Sequence, residues 1–143
     1  MSNNNGKKGD LLLELFSEEI PARMQIGSEK QLTSLFEKSL MNRDIGYGPI
    51  STFSSPRHLS VIIKNIDLKQ KNKIIEKRGP RLGSNEKAIH GFLKSNNIKE
   101  KDTVIKDTKN GKFYFYLNKI NGINTSEVLP EIVNEIINNF VWP

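Results

Sequence analysis

The sequence predicts an α+β domain: a mostly antiparallel sheet packed with about three helices, behind a disordered N-terminal tail. Three observations predict it. Apolar residues recur at helical spacing in three separate segments. Short β-prone runs lie between them, and two of these runs flank Lys109-Asn110-Gly111, a strong hairpin signal. The order is strand, helix, strands, helix, hairpin, helix, a mixture that implies antiparallel pairing within one α+β layer arrangement.

Residues 1–10 are polar and Asn-rich, carry no hydrophobic pattern, and read as a disordered tail. Residues 11–143 read as a single domain. Residues 11–16 form a short apolar strand broken only by Glu14. Ser17-Glu18-Glu19-Ile20-Pro21 ends it, because Pro21 cannot donate to a ladder and holds Ile20 extended. Over residues 28–41, Leu32, Leu35, Phe36 and Leu40 recur at helical intervals, with Ser28 placed to serve as N-cap. Gly46 and Gly48-Pro49 mark a turn. Residues 50–53 and 59–66 read as strands. In the second, Ile62 breaks strict alternation, which predicts cover on both faces. Residues 73–78 extend this sheet until Gly79-Pro80 stops it.

Residues 85–94 place Ala88, Ile89, Phe92 and Leu93 on one helical stripe, and Asn96 and Asn97 close the helix. Residues 103–106 and 112–120 form the hairpin, with Phe113, Phe115 and Leu117 on one face and Tyr114 and Tyr116 on the other. Residues 126–140 give the clearest amphipathic helix, with Val128, Leu129, Ile132, Val133, Ile136, Ile137 and Phe140 on one side. Pro130 is expected in its first turn. The chain stops at Val141-Trp142-Pro143 without a polar closing segment, which reads as a truncated end.

The 143 residues contain no Cys, so a disulfide framework and a thiolate metal site are both excluded. A reducing cytoplasm is the natural compartment. No apolar run approaches bilayer length, and Glu14 interrupts the apolar start that a secretory signal would need. The formal charge of +6 is consistent with a polyanionic partner and equally with a Lys-rich codon bias.

Catalytic candidates are few. His58 and His90 have no third ligand in view, so no His-based metal site is expected. Glu18 and Glu19 are neighbours on an extended segment and point to opposite sides, so they make no facing acid–base pair. Gly79-Pro80-Arg81-Leu82-Gly83-Ser84 lacks the Gly-Lys-Ser/Thr ending of a phosphate loop and does not fit a dinucleotide fingerprint. The basic segment says more. Arg57, Lys64, Lys69, Lys71, Lys73, Lys77, Arg78 and Arg81 stand against only Asp67 and Glu76. Arg57, Lys77, Arg78 and Arg81 are the candidate RNA contacts, since guanidinium forks beside a rigid turn suit phosphate oxygens. A solvated strand edge that deters aggregation is the competing reading. Phe113, Tyr114, Phe115 and Tyr116 form either a base-stacking platform or an aromatic strand in a small core.

Four segments read together resemble one family. They are Leu11-Leu12-Leu13-Glu14-Leu15-Phe16 with Ser17-Glu18-Glu19-Ile20-Pro21-Ala22-Arg23, then Ser55-Pro56-Arg57-His58-Leu59, then Glu76-Lys77-Arg78-Gly79-Pro80, then Lys87-Ala88-Ile89-His90-Gly91-Phe92. In this order and at these intervals they resemble the N-terminal portion of the β subunit of the bacterial-type, two-subunit glycyl-tRNA synthetase. His58 departs from the family's usual second Arg, which puts that position in doubt as an anion contact. The family also continues beyond residue 143 into further domains, including the anticodon-binding domain.

The resemblance implies a role in ATP-dependent attachment of glycine to tRNA(Gly) in a cytoplasmic α₂β₂ heterotetramer. It places the class II active site, with ATP and Mg²⁺, on the α subunit. For this chain it implies no catalytic residue, no bound cofactor or metal, no membrane, and a contribution through tRNA binding and subunit assembly. Its implied partners are the α subunit and tRNA(Gly). A free-standing RNA-binding module, or an inactive remnant of the synthetase, remain the alternatives.

Overall fold

A computed structural model describes residues 6–142. The elements run β1 (Lys8–Phe16), α1 (Ala22–Asn42), β2 (Ile50–Ser55), β3 (His58–Asp67), β4 (Lys73–Arg81), α2 (Glu86–Ser95), a 3₁₀ turn, β5 (Thr103–Thr108), β6 (Gly111–Ile120) and α3 (Thr125–Asn139). The α+β class and the three helices agree with the sequence reading. The described residues divide into two compact units, one of 6–71 with 122–142 and the other of 72–121. Of the expected tail, Lys8, Gly9 and Asp10 belong to β1, pairing from Lys8 against Asp67. Residues 1–5 and Pro143 lie outside the described residues.

The first unit is an antiparallel sheet in the order β1-β3-β2 with α1 and α3 on one face. Alternation decides what each strand buries. Leu59, Val61 and Ile63 of β3 are fully buried, and Leu11, Leu13 and Leu15 of β1 flank them on the same side. Leu32, Phe36 and Leu40 of α1 and Val128, Ile132 and Ile136 of α3 close the core at helical spacing. Cover on both faces of β3 is not what forms. Ile62 is only half-buried, and its cross-strand neighbours Leu12 and Ser51 are exposed.

α1 starts at Ala22, well before the expected Ser28, because Pro21 sits at the N-cap with φ −57°, a value that leads into a helix. Gly27 is tolerated inside it, and Ser28 becomes a buried residue rather than a cap. α3 also starts earlier than expected. Thr125 docks on the end of β3, its N–H donating to the Leu68 carbonyl and its hydroxyl to the Asp67 carbonyl. Pro130 therefore lies inside α3, on its exposed side, and not in the first turn.

The second unit is an antiparallel sheet in the order β4-β6-β5 with α2. β4 does not extend the first sheet, and Gly79-Pro80 does not stop it. The strand runs through to Arg81 with a register shift between Arg78 and Arg81. Pro80 is accepted there because β4 is an edge strand and a bulge needs no donor at that point. At Gly79 the backbone passes under the Phe92 ring of α2, and a Cβ there would come within 2.7 Å of the ring. Asn85 caps α2 by accepting from the Ala88 N–H at 2.8 Å, and Asn96 ends the helix. In the β5–β6 hairpin Gly111 supplies the positive φ, +111°. Phe115 is the only buried large apolar side chain among the described residues of this unit.

Candidate nucleic-acid interface

The site builds from the bulge in β4. On a regular strand, residues three apart point to opposite faces, so Arg78 and Arg81 would be separated by the sheet. Here Arg78 pairs with Phe115 and Arg81 pairs with Phe113, two positions of β6 that share a face. The extra residue at Gly79-Pro80 rotates Arg81 onto the side that Arg78 occupies. The β5–β6 register adds Lys106, opposite Phe113, and the β4–β6 register adds Lys119, opposite Ile74. One sheet face thus carries Arg78, Arg81, Lys106 and Lys119, all exposed, around Phe113 and Phe115.

The cations are seated on the rings. The Arg78 guanidinium carbon lies 4.2 Å from the Phe113 centroid, and Lys106 Nζ lies 5.5 Å from that of Phe115. Glu76 shares the face and pairs with Lys106. Arg78 and Arg81 have no carboxylate partner among the described residues. The Arg81 guanidinium lies over Gly111, where a Cβ would come within 2.9 Å of it. The arrangement offers fixed donor forks with unneutralised charge, suited to phosphate oxygens.

The structure brings only two of the four expected contacts together. Lys77 points to the opposite face of the sheet, with Thr103 and Tyr116, and its Nζ donates to Asn96 of α2 at 3.1 Å. Arg57 is exposed in the β2–β3 turn of the other unit. The aromatic strand splits as its alternation predicts. Neither of its Phe rings is exposed, however, since Phe115 is buried and Phe113 is half-buried beneath Arg78. Lys106 and Lys119 were missed by reading composition along the chain. The Lys109-Asn110-Gly111 turn held the signal for Lys106, because pairing Thr108 with Gly111 places Lys106 opposite Phe113.

His58 stacks on Phe16 with centroids 4.3 Å apart, and its buried Nε2 lies 3.7 Å from Glu14 without a hydrogen bond. Glu18 and Glu19 line a surface cavity of about 380 Å³ with Phe16, Ser17, Ile20 and Trp142. The Ser17 hydroxyl there donates to the Glu18 carbonyl and is not presented to a base. No group of three or more His, Asp or Glu residues suited to a metal forms among the described residues. Among the described residues no helix is long and apolar enough to cross a membrane.

These features define an α+β chain whose most developed surface is a basic, ring-backed sheet face. Comparison with known proteins places it further. The family profile described as glycyl-tRNA synthetase beta subunit matches residues 11–143. The glycine–tRNA ligase beta subunit of Rickettsia bellii (strain OSU 85-389) is 38% identical over 133 residues, covering 93% of this chain and 20% of that protein. The same-named proteins of Paracoccus denitrificans and Rickettsia felis are 34% and 35% identical over 94% and 93% of this chain, each again over 20% of their own length. The chain belongs to the glycyl-tRNA synthetase beta subunit family, a component of an aminoacyl-tRNA synthetase, and spans about a fifth of the length of these relatives.

Proposed function

We propose that this chain is a non-catalytic part of a glycine–tRNA ligase that contacts tRNA(Gly) through the sheet face built on β4 and β6. The observation that carries the reading is the bulge at Gly79-Pro80, which sets Arg78 and Arg81 on one face, where neither pairs with a carboxylate among the described residues. The relatives' names supply the reaction and imply an α subunit as partner, which on this reading handles ATP, Mg²⁺ and glycine in the cytoplasm. This chain then contributes phosphate contacts and assembly. Arg57 and Lys77 are separate, secondary contacts.

The test measures affinity for a tRNA(Gly) transcript as a function of salt. Binding to phosphates releases counterions, so affinity should fall steeply with added salt. Replacing Arg78 and Arg81 together by Ala should weaken binding and flatten the log–log salt slope by about two. Lys77→Ala should change it little. The chain alone should show no ATP–pyrophosphate exchange, and exchange abolished by Glu18→Gln or Glu19→Gln would overturn the non-catalytic assignment.

A further inference from the structure

The aromatic residues of β6 lie within this basic face, yet neither ring offers an open surface. Phe115 is 7% exposed, and Lys106 lies over its ring. Phe113 lies under the Arg78 guanidinium at 4.2 Å. A base that stacked here would have to displace a cation from each ring. Unpaired strands are held by exposed aromatic platforms, whereas duplex RNA is held mainly through phosphates and shape. Besides the apolar side chains of Ile74, Val104 and Leu117, the face exposes the cationic side chains of Arg78, Arg81, Lys106 and Lys119.

Resting on the reading proposed above, we infer that the ligand of this face is the phosphodiester backbone of a base-paired RNA segment, and that Phe113 is a positioning residue that holds Arg78 for it. An arginine side chain in solvent samples many rotamers, and ordering it on binding has an entropic cost. Stacked on Phe113, Arg78 has lost much of that freedom before RNA arrives, while the in-plane N–H donors of its guanidinium stay free. The Gly79-Pro80 bulge does the same for Arg81 by fixing the face on which it emerges. The two devices preorganise a pair of guanidinium groups on one sheet.

The experiment uses the full chain and two labelled probes of equal phosphate number, an RNA hairpin stem and an unpaired oligouridylate, titrated at several salt concentrations. The stem should bind more tightly. Phe113→Leu removes the ring and no charge, so it should weaken stem binding by about two- to five-fold while leaving the salt slope unchanged. Phe113→Tyr should restore binding. Arg78→Ala should both weaken binding and reduce the slope by about one. Circular-dichroism melts of each variant separate these effects from unfolding, and Phe113→Met, which also lacks the ring, carries the test if Phe113→Leu melts early. Tighter binding of oligouridylate, or stem binding indifferent to Phe113→Leu in a folded variant, overturns this inference alone. Absence of salt-dependent binding to either probe overturns the RNA-contact reading with it.

Discussion

At the scale of single residues, identical side chains acquire opposite roles from their neighbours. Arg43 has its guanidinium 2.7 Å from Glu135 and 2.8 Å from the Ser39 hydroxyl, with only 18% of the side chain exposed, so it braces α1 against α3. Arg78 meets a ring and, among the described residues, no carboxylate, so its charge remains available. Nothing in the local sequence distinguishes the two. Acidic residues differ in the same way. Asp10 accepts from Lys64 Nζ at 2.7 Å and from the Asn65 N–H at 3.1 Å, and these bonds, the Lys64 bond foremost, hold its carboxyl below the ordinary value of 3.8. Because the folded pKa is the lower one, the unfolded chain binds the extra proton as pH falls. The stabilisation is therefore present above the ordinary value and is lost as pH drops through the folded one. A carboxyl-carbon NMR titration should place the Asp10 midpoint below 3.8 in the wild-type chain. Lys64→Met should move it upward, and an unmoved midpoint would remove Lys64 as the cause.

At the scale of elements, stability and legibility diverge between the helices. α1 and α3 each bury residues completely, whereas α2 buries none. α2 depends instead on its caps and on the Phe92 ring over Gly79. Asn85→Ala removes the N-cap acceptor and should cost about 1 kcal/mol. The loss should appear as faster amide exchange in residues 86–95 with α1 unchanged. Equal acceleration in α1 would show that α2 does not open on its own. The sequence made α2 legible because Asn85, the apolar stripe and Asn96 all mark one helix. The hairpin was legible for the same reason, since turn chemistry and alternation coincide at Gly111. The misread elements are those where tertiary packing overrides a local signal. Pro21 starts a helix although it also ends a strand, Pro130 lies within α3 because Thr125 is fixed to β3, and Gly79-Pro80 bends a strand it was expected to end. That last misreading left Arg78 and Arg81 as candidates without a common face, which they share only because the strand continues past the bulge.

At the scale of the whole molecule, the chain leaves the first unit after Lys71 and returns at Gly122. The exit and the return are tied to each other within that unit. Lys69 bridges Asn124, the Gln70 N–H donates to the Ile123 carbonyl at 2.9 Å, and the Gln70 side chain accepts from the Ile123 N–H at 3.2 Å. Gly122 approaches so closely that a Cβ on it would come within 1.8 Å of the Gln70 carbonyl oxygen. Residues 72–121 therefore form an insertion between β3 and α3 whose exit and return are paired by contacts within the first unit. Every residue of the continuous hydrophobic core, from Ile20 to Phe140, belongs to the first unit. Replacing residues 72–121 by a short Gly-Ser linker should therefore leave that core folded, because closing a short loop between adjacent ends has a small entropic cost. The shortened chain should melt cooperatively with the amides of β3 and α1 still protected. It should also lose the salt-dependent tRNA affinity assigned to Arg78 and Arg81 while retaining Arg57. Undiminished affinity in a folded, shortened chain would move the RNA contact to the β2–β3 turn, and a chain that failed to fold would show that the insertion supplies stability its sparse burial does not account for.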